Sequence, residues 1–331
     1  MSATAEESAG RAGEAGKQPP RVLRGLAWLV WRQHRTAFVA CLLLTAAASV
    51  NMLWQRASMN DWLRRHEVAT PVPRDLLMEM QDAYGAAFQD GSWILSMVPI
   101  VAGVFLGAPL ISGDRERGTV KLVTTQSVTR GRWLATKLGM AALVTVVCSA
   151  LLSAVFTWWW EPAHEVVNVG EWSGGTIFDH TGPMPVAMAL LHLAVGVAAG
   201  VLVRRTLPAM VLTFGFAFAM TEVWDRVRLL PFTPRVITNP VELGQPHVPR
   251  AAVAYDNWTV DANGGFHGFG TCFNERTGAA CRANKGIVAE RLEYFGYDQM
   301  SAMQWTCAAI LLAVTAAITG LTLWWARRRP L

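Results

Sequence analysis

Few residues in this chain have the type and spacing that chemistry requires. His164–Asn168, "HEVVN", opens like a zinc-protease helix, in which two histidines four residues apart share one face and hold the metal. Asn168 stands where the second histidine would be needed. The one Gly-Lys pair, Gly16-Lys17, is followed by Gln18 rather than by Ser or Thr, so no phosphate-cradling loop is formed. Two cysteines, Cys272 and Cys281, lie in a glycine-rich stretch, "DANGGFHGFGTCFNERTGAAC". In an oxidising compartment this spacing favours a disulfide; with His267 the same thiols could instead hold a metal. His192 sits deep in an apolar run, where an ionisable group is either part of a pathway or a neutral imidazole bonded to a neighbouring helix. Glu222 lies near the end of another run and reads as a pathway group or a solvated rim carboxylate. No catalytic residue and no metal centre is expected from this set.

The elements that would position these groups are set by composition. Of 331 residues, 52% are hydrophobic and only 16% charged, against about a quarter in soluble domains. A membrane helix needs roughly 20 apolar residues, and six segments qualify: 36–54, 92–111, 138–160, 185–203, 207–223 and 304–326. The first three and the last carry no Asp, Glu, Lys or Arg, each of which costs about 2.5–3.5 kcal/mol at mid-membrane. The fourth and fifth are separated only by Arg204-Arg205-Thr206 and read as a tight helical hairpin. The expected fold is therefore all-α and polytopic, with six transmembrane helices. Gly103/Gly107 and Gly196/Gly200 are Gly-x-x-x-Gly pairs inside spans, placing them at close helix packing, within the bundle or between subunits. Trp54, Trp93, Trp158, Trp159, Trp160, Trp224, Trp305, Trp324 and Trp325 fall near span ends, where indole rings favour the interface.

Basic residues near span ends set orientation. Arg21, Arg24, Arg32 and Arg35 precede span one; Arg115, Arg117, Lys121, Arg130, Arg132 and Lys137 lie between spans two and three. Arg204 and Arg205 separate spans four and five, and Arg327–Arg329 follow span six. The 161–184 loop has no Lys or Arg. Both termini and the 113–133 segment are therefore expected on the cytoplasmic side, with a large outer loop, 225–303, between spans five and six. That loop is expected to pack as a cap built on Trp258, Phe266, Phe269, Phe273, Tyr294 and Phe295. Residues 1–20 lack the apolar centre of a signal peptide and read as a disordered cytoplasmic tail. Residues 21–35, "RVLRGLAWLVWRQHR", read as an amphipathic interfacial helix, with extension of span one as the alternative. No catalytic Ser/His/Asp set can be assembled on one expected side of the membrane.

The cytoplasmic stretch "LGAPLISGDRERGTVKLVTTQSVTRGRWLATKLG", with "WLVWRQHR" before span one, resembles the ABC-2 type permease family, and within it the actinobacterial ABC transporter permease subunits. Its members place an acidic, Gly-Thr-containing segment after their second span, then a Ser/Thr-Arg turn and a Lys entering the third. Here these positions are Asp114, Glu116, Gly118, Thr119, Ser127, Thr129, Arg130 and Lys137. One departure is Ser112-Gly113-Asp114, which intervenes where the family has an apolar-basic-acidic sequence. The specific wording is confined to 28–35 and 106–139, whereas the span pattern covers residues 36–331.

The resemblance implies the permease subunit of an exporter in a bacterial plasma membrane, working by alternating access. ATP and Mg would be bound by a separate cytoplasmic ATPase, and the chain itself would carry no cofactor. A second permease copy or a homologous permease would complete the transporter; no nucleic-acid partner is implied. Asp114, Arg115, Glu116, Arg117, Gly118, Thr119, Lys121 and Arg130 would form the ATPase-coupling site. The physical expectation is that Asp114 and Glu116 lie at a helix start, opposing its positive dipole end, and that Ser127 or Thr129 caps the third span. Two alternatives stay open: a polytopic enzyme acting on lipid or cell-wall precursors, and a membrane anchor or sensor without transport.

Overall fold

A computed structural model of the chain describes residues 25–66, 74–118, 129–162, 172–249, 251–272 and 277–328. Among the described residues, six helices are long and apolar enough to cross a membrane. The first, α1 (Leu26–Arg65), runs unbroken for 40 residues. The second crossing is built from α2 (Arg74–Val101), a π-helical turn at Ala102–Gly107 and α3 (Ala108–Glu116). Then come α4 (Arg130–Trp160), the short α5 (Gly175–Phe178), α6 (Met184–Val203) and α7 (Thr206–Val227). After the sheet and the small α8 (Gly278–Asn284), α9 (Met300–Arg328) closes the bundle. Six crossings put α1's start and α9's end at one end of the bundle, here the terminal end; the other is the sheet end.

Residues 26–35 are thus not a separate interfacial helix. They continue α1, because nothing between Gly25 and Arg65 interrupts its backbone bonding and Arg32 and Arg35 simply stay exposed on its surface. Each of the six expected segments lies within one of these crossings, several of which run well past it, and the hairpin is tight: α6 ends at Val203 and α7 starts at Thr206. Arg204 turns the chain in the left-handed region, φ 65°, a conformation that L side chains adopt at a steric cost.

α6 is the central helix, with 67% of its apolar window buried against 22% for α1 and 17% each for α7 and α9. It packs on α2, α3, α4, α7 and α9. Near the sheet end an aromatic cluster joins α2 to α4: Phe88 stacks on Trp159 at 4.1 Å and meets Phe156 and Trp160 edge-on. Trp159, Trp160 and Trp224 are therefore core residues, 1%, 3% and 7% exposed, not interfacial anchors as their span-end positions suggested. Trp54, Trp93, Trp158, Trp305 and Trp324 do lie on the surface.

The 225–303 segment corrects a purely helical picture. It holds β1 (Arg235–Pro240), β2 (Val253–Asp261), β3 (Phe266–Gly268) and β4 (Ile287–Phe295), an antiparallel sheet in the order β1-β4-β2-β3. Along β4, Ile287, Leu292 and Phe295 are buried. Phe295 and Val253 join Trp172, Met300 and Met303 in the core of the bundle, and Trp172 Nε1 donates to Ala251 O at 2.9 Å. The sheet is thereby packed onto the helices. Of the expected aromatic set, Phe295 is fully buried and Trp258 and Tyr294 are half-buried, whereas Phe266 and Phe269 are exposed, and Phe273 lies outside the described residues.

Candidate functional site

The two glycine pairs meet each other inside the bundle. A Cβ added at Gly196 would lie 2.1 Å from Gly103 O, and one at Gly200 would lie 2.4 Å from Ala108 O. In return, a Cβ added at Gly107 would lie 2.7 Å from Leu193 O and one at Gly103 2.8 Å from His192 O. Backbone thus packs on backbone along the α6 seam, which only glycine permits. The π-helical turn is the part of the second crossing that reaches in. It lies between Pro99 and Pro109, each of which lacks an N–H and disturbs the preceding turn. The Ala108 N–H bonds to Gly103 O, five residues back, and turns of this kind recur at functional sites.

At the terminal end, the residues singled out from the 113–133 segment divide into an inward and an outward set. Asp114 and Glu116 do not start a helix; they end α3. Gly113 does not break the helix, and the closing bonds are Arg117 N to Gly113 O and Gly118 N to Arg115 O, with Gly118 at φ 69°. Asp114 is buried in an ion pair with Lys137 of α4, and Gln33 of α1 donates to it as well. Lys137 is fully buried; its ammonium also donates to Leu110 O at 3.2 Å, lies 3.3 Å from His34 Nε2 and sits 5.0 Å from the Trp133 ring. A buried ammonium needs such partners, since an unpaired charge there is prohibitively costly.

Arg115 and Glu116 reach across to the α6–α7 hairpin. Arg115 Nη1 donates to Val201 O at 2.8 Å, satisfying a carbonyl at the end of α6. Glu116 accepts from Thr206 N at 2.9 Å and from Thr206 Oγ1 at 2.6 Å. α7 has no side-chain cap of its own, so the Glu116 carboxylate supplies both the cap and the negative charge that its N-terminus favours. The helix dipole that Glu116 opposes is therefore α7's. Arg117 and Gly118 are exposed. Thr119, Lys121 and Ser127 lie outside the described residues. Thr129 caps α4, accepting from Arg132 N at 3.4 Å, and Arg130 is the first residue of that helix.

At the sheet end, His192 is buried, with Nδ1 2.8 Å from Met188 O. It lines a cavity of about 240 Å³ that also receives Ser92, Ser96, Asp179, His180 and Asp225. Glu222 does not line it and pairs with Arg226 one turn along α7 at 3.4 Å. Cys272 and Cys281 are joined in a disulfide, and His267 pairs instead with Asp261 at 2.9 Å. His164 and Asn168 fall outside the described residues. Gln33, His34 and Thr206 were not anticipated as site residues; only Lys137, a lone charge at the mouth of an apolar run, signalled that a buried partner was needed. The cavity had a fainter signal, two serines one helical turn apart in an apolar span.

Six apolar crossings, a glycine-seamed core and polar clusters at both ends define a multi-pass membrane protein. Residues 42–228, more than half of the chain, match the family described as "ABC-2 membrane transporter related", and the chain belongs to that family. No curated protein and no solved structure matches it.

Proposed function

We propose that the chain is the permease subunit of an ABC-2 type exporter in a bacterial plasma membrane, with its terminal end cytoplasmic. A separate ATPase binds ATP and Mg, and a second copy or a homologous permease completes the transporter. The observation that carries this reading is the anchoring of the segment between α3 and α4. Its entry is tied through Asp114 and Lys137 to α1 and α4, and through Arg115 and Glu116 to the α6–α7 hairpin. A push on 117–129 would reach four crossings at once, as a coupling element requires. The surface left for the ATPase is basic: Arg117, Arg132, Arg204, Arg205, Arg327 and Arg328 are all exposed.

In the mechanism that follows, closure of the ATPase shifts the segment, and the α3 end moves with the hairpin because Glu116 and Arg115 hold them together. The motion passes up the glycine seam, where backbones in contact leave no compressible side chains between them. The π-helical turn, already departing from α-helical bonding, is the place where the second crossing would flex. The test is co-expression of the full chain with ATPases encoded beside it. Co-purification and stimulated hydrolysis of one of them is the expected result; a chain that binds and stimulates none of them would overturn the proposal.

A further inference from the structure

The cavity at the sheet end lies between α2, α6, α7 and α5, and its composition is specific. His192 lies beside the glycine seam. Its Nδ1 is hydrogen-bonded to a carbonyl, so the neutral ring presents Nε2 as an acceptor. Further out, His180 is held between two serines of α2, Nδ1 2.8 Å from Ser92 Oγ and Nε2 3.0 Å from Ser96 Oγ. At the rim, Arg228 donates to Asp179 at 3.0 Å and to Asp225 at 2.7 Å, and Trp224 Nε1 donates to Asp179 at 2.8 Å. The rest of the lining adds Gln89, Thr176 and Thr221 and an apolar wall that includes Leu95, Pro185, Met188 and Met220.

Charge decides what such a space would take. Among the described residues no Lys or Arg lines the cavity, while two carboxylates do. One guanidinium, Arg228, bridges those carboxylates, leaving one net negative charge beside hydroxyl and imidazole acceptors. The volume is below the range of about 300–1,000 Å³ of drug-sized sites. We propose that this cavity binds a small amphipathic amine, its ammonium at Asp179 and Asp225 and its apolar body against Leu95, Met188 and Met220. The assignment rests on the permease reading only in making the bound amine a transported or inhibitory ligand; binding itself needs no ATPase.

Protonation gives the site a pH dependence. Burial raises the Asp179 carboxyl to about 6, with the Arg228 charge and the Trp224 hydrogen bond opposing it and Asp225 adding to it. From the turn after α5, His180 is neutral in the same range, since burial lowers it to about 4; from α9, Cys307 is the facing titratable group. A proton on Asp179 removes the negative charge, so amine affinity falls as pH drops through about 6.

The test uses radiolabelled phenethylamine on the purified full chain in phosphatidylcholine nanodiscs near neutral pH. Two near-isosteres, 2-phenylethanol and phenylacetate, differ from it in charge. Saturable binding is expected, displaced by unlabelled amine, weakly by the alcohol and not by the acid. Asp225→Asn should weaken it about tenfold or more, equivalent to about 1.4 kcal/mol, while keeping the Asp179–Arg228 pair that holds the rim. Glu222→Gln, on the same helix but outside the cavity, should leave it unchanged. Absence of saturable binding, equal displacement by phenylacetate, or an equal loss in Glu222→Gln would overturn the assignment. Failed amine binding with intact ATPase stimulation removes the site and leaves the permease reading standing. Amine binding without any stimulated ATPase does the reverse.

Discussion

Gly196→Ala adds one methyl group where α6 meets the π-helical turn. The new Cβ would lie 2.1 Å from Gly103 O, 2.9 Å from Gly103 C and 3.0 Å from Ala108 N. Ordinary contact begins at 3.4 Å, so the helices must separate by roughly 1.3 Å along that direction. The obstacle is backbone on both sides, with no side chain to swing away. Overpacking of this kind costs about 1–3 kcal/mol, and the upper end applies because the seam also loosens at Gly107 and Gly200. Alanine's better helix propensity returns about 0.8–1.0 kcal/mol. The expected net effect is a loss of about 2 kcal/mol. Gly139→Ala is the internal control: nothing lies within 4 Å of its added Cβ, so only the propensity gain remains and the variant should be stabilised. Unfolding of both variants in mixed micelles by denaturing-detergent titration reads the sign directly. A Gly196→Ala protein as stable as Gly139→Ala would refute the backbone-on-backbone seam.

Replacing Lys137 by Met takes the ammonium away from the buried Asp114 carboxylate and should cost about 3–5 kcal/mol; Asp114→Leu with Lys137→Met should recover most of it, and the same unfolding assay would expose a double variant no better than the single. Between about pH 4 and 6.5 two neighbours at the sheet end pull stability in opposite directions. His180, lowered from 6.5 to about 4, loses its contribution as pH falls through that window, whereas Asp179, raised from 3.8 to about 6, gains as it takes up a proton. Asp179→Asn should therefore show a steeper fall in Tm on acidification than the wild type, and a flatter profile would contradict the assignment. Peptide mapping under non-reducing conditions should recover Cys272 linked to Cys281; finding both thiols free in protein from its native membrane would contradict the disulfide.

The crossings were legible in the sequence because a run of some twenty uncharged residues has no stable home but the bilayer core. The hairpin was equally plain, since Arg204-Arg205 cannot sit inside hydrocarbon and Pro208 favours a helix start. The role of 113–116 was not legible. Whether Asp114 opens or ends a helix depends on whether Gly113 breaks it, and that is decided by Lys137, 23 residues on, whose ammonium takes both Leu110 O and the Asp114 carboxylate. The sheet left only a weak pattern: in "IVAERLEYF" the buried Ile287, Leu292 and Phe295 do not recur at every second residue, while Asn263-Gly264-Gly265 forms the turn into β3, with Gly264 at φ 81°. Its many glycines made the segment read as loop. Beyond His192 and the two serines the cavity had no linear signature, because its lining comes from four elements brought together only by the fold.

A photo-crosslinking residue placed at Arg117, beside the 119–128 stretch, tests most directly whether the terminal end couples to an ATPase. The matching control is Leu243 at the sheet end, 73% exposed. In membranes containing the co-expressed ATPase, an adduct with that ATPase is expected from position 117 and none from position 243. Adducts from position 243 with none from position 117 would invert the orientation of the chain and contradict the coupling site.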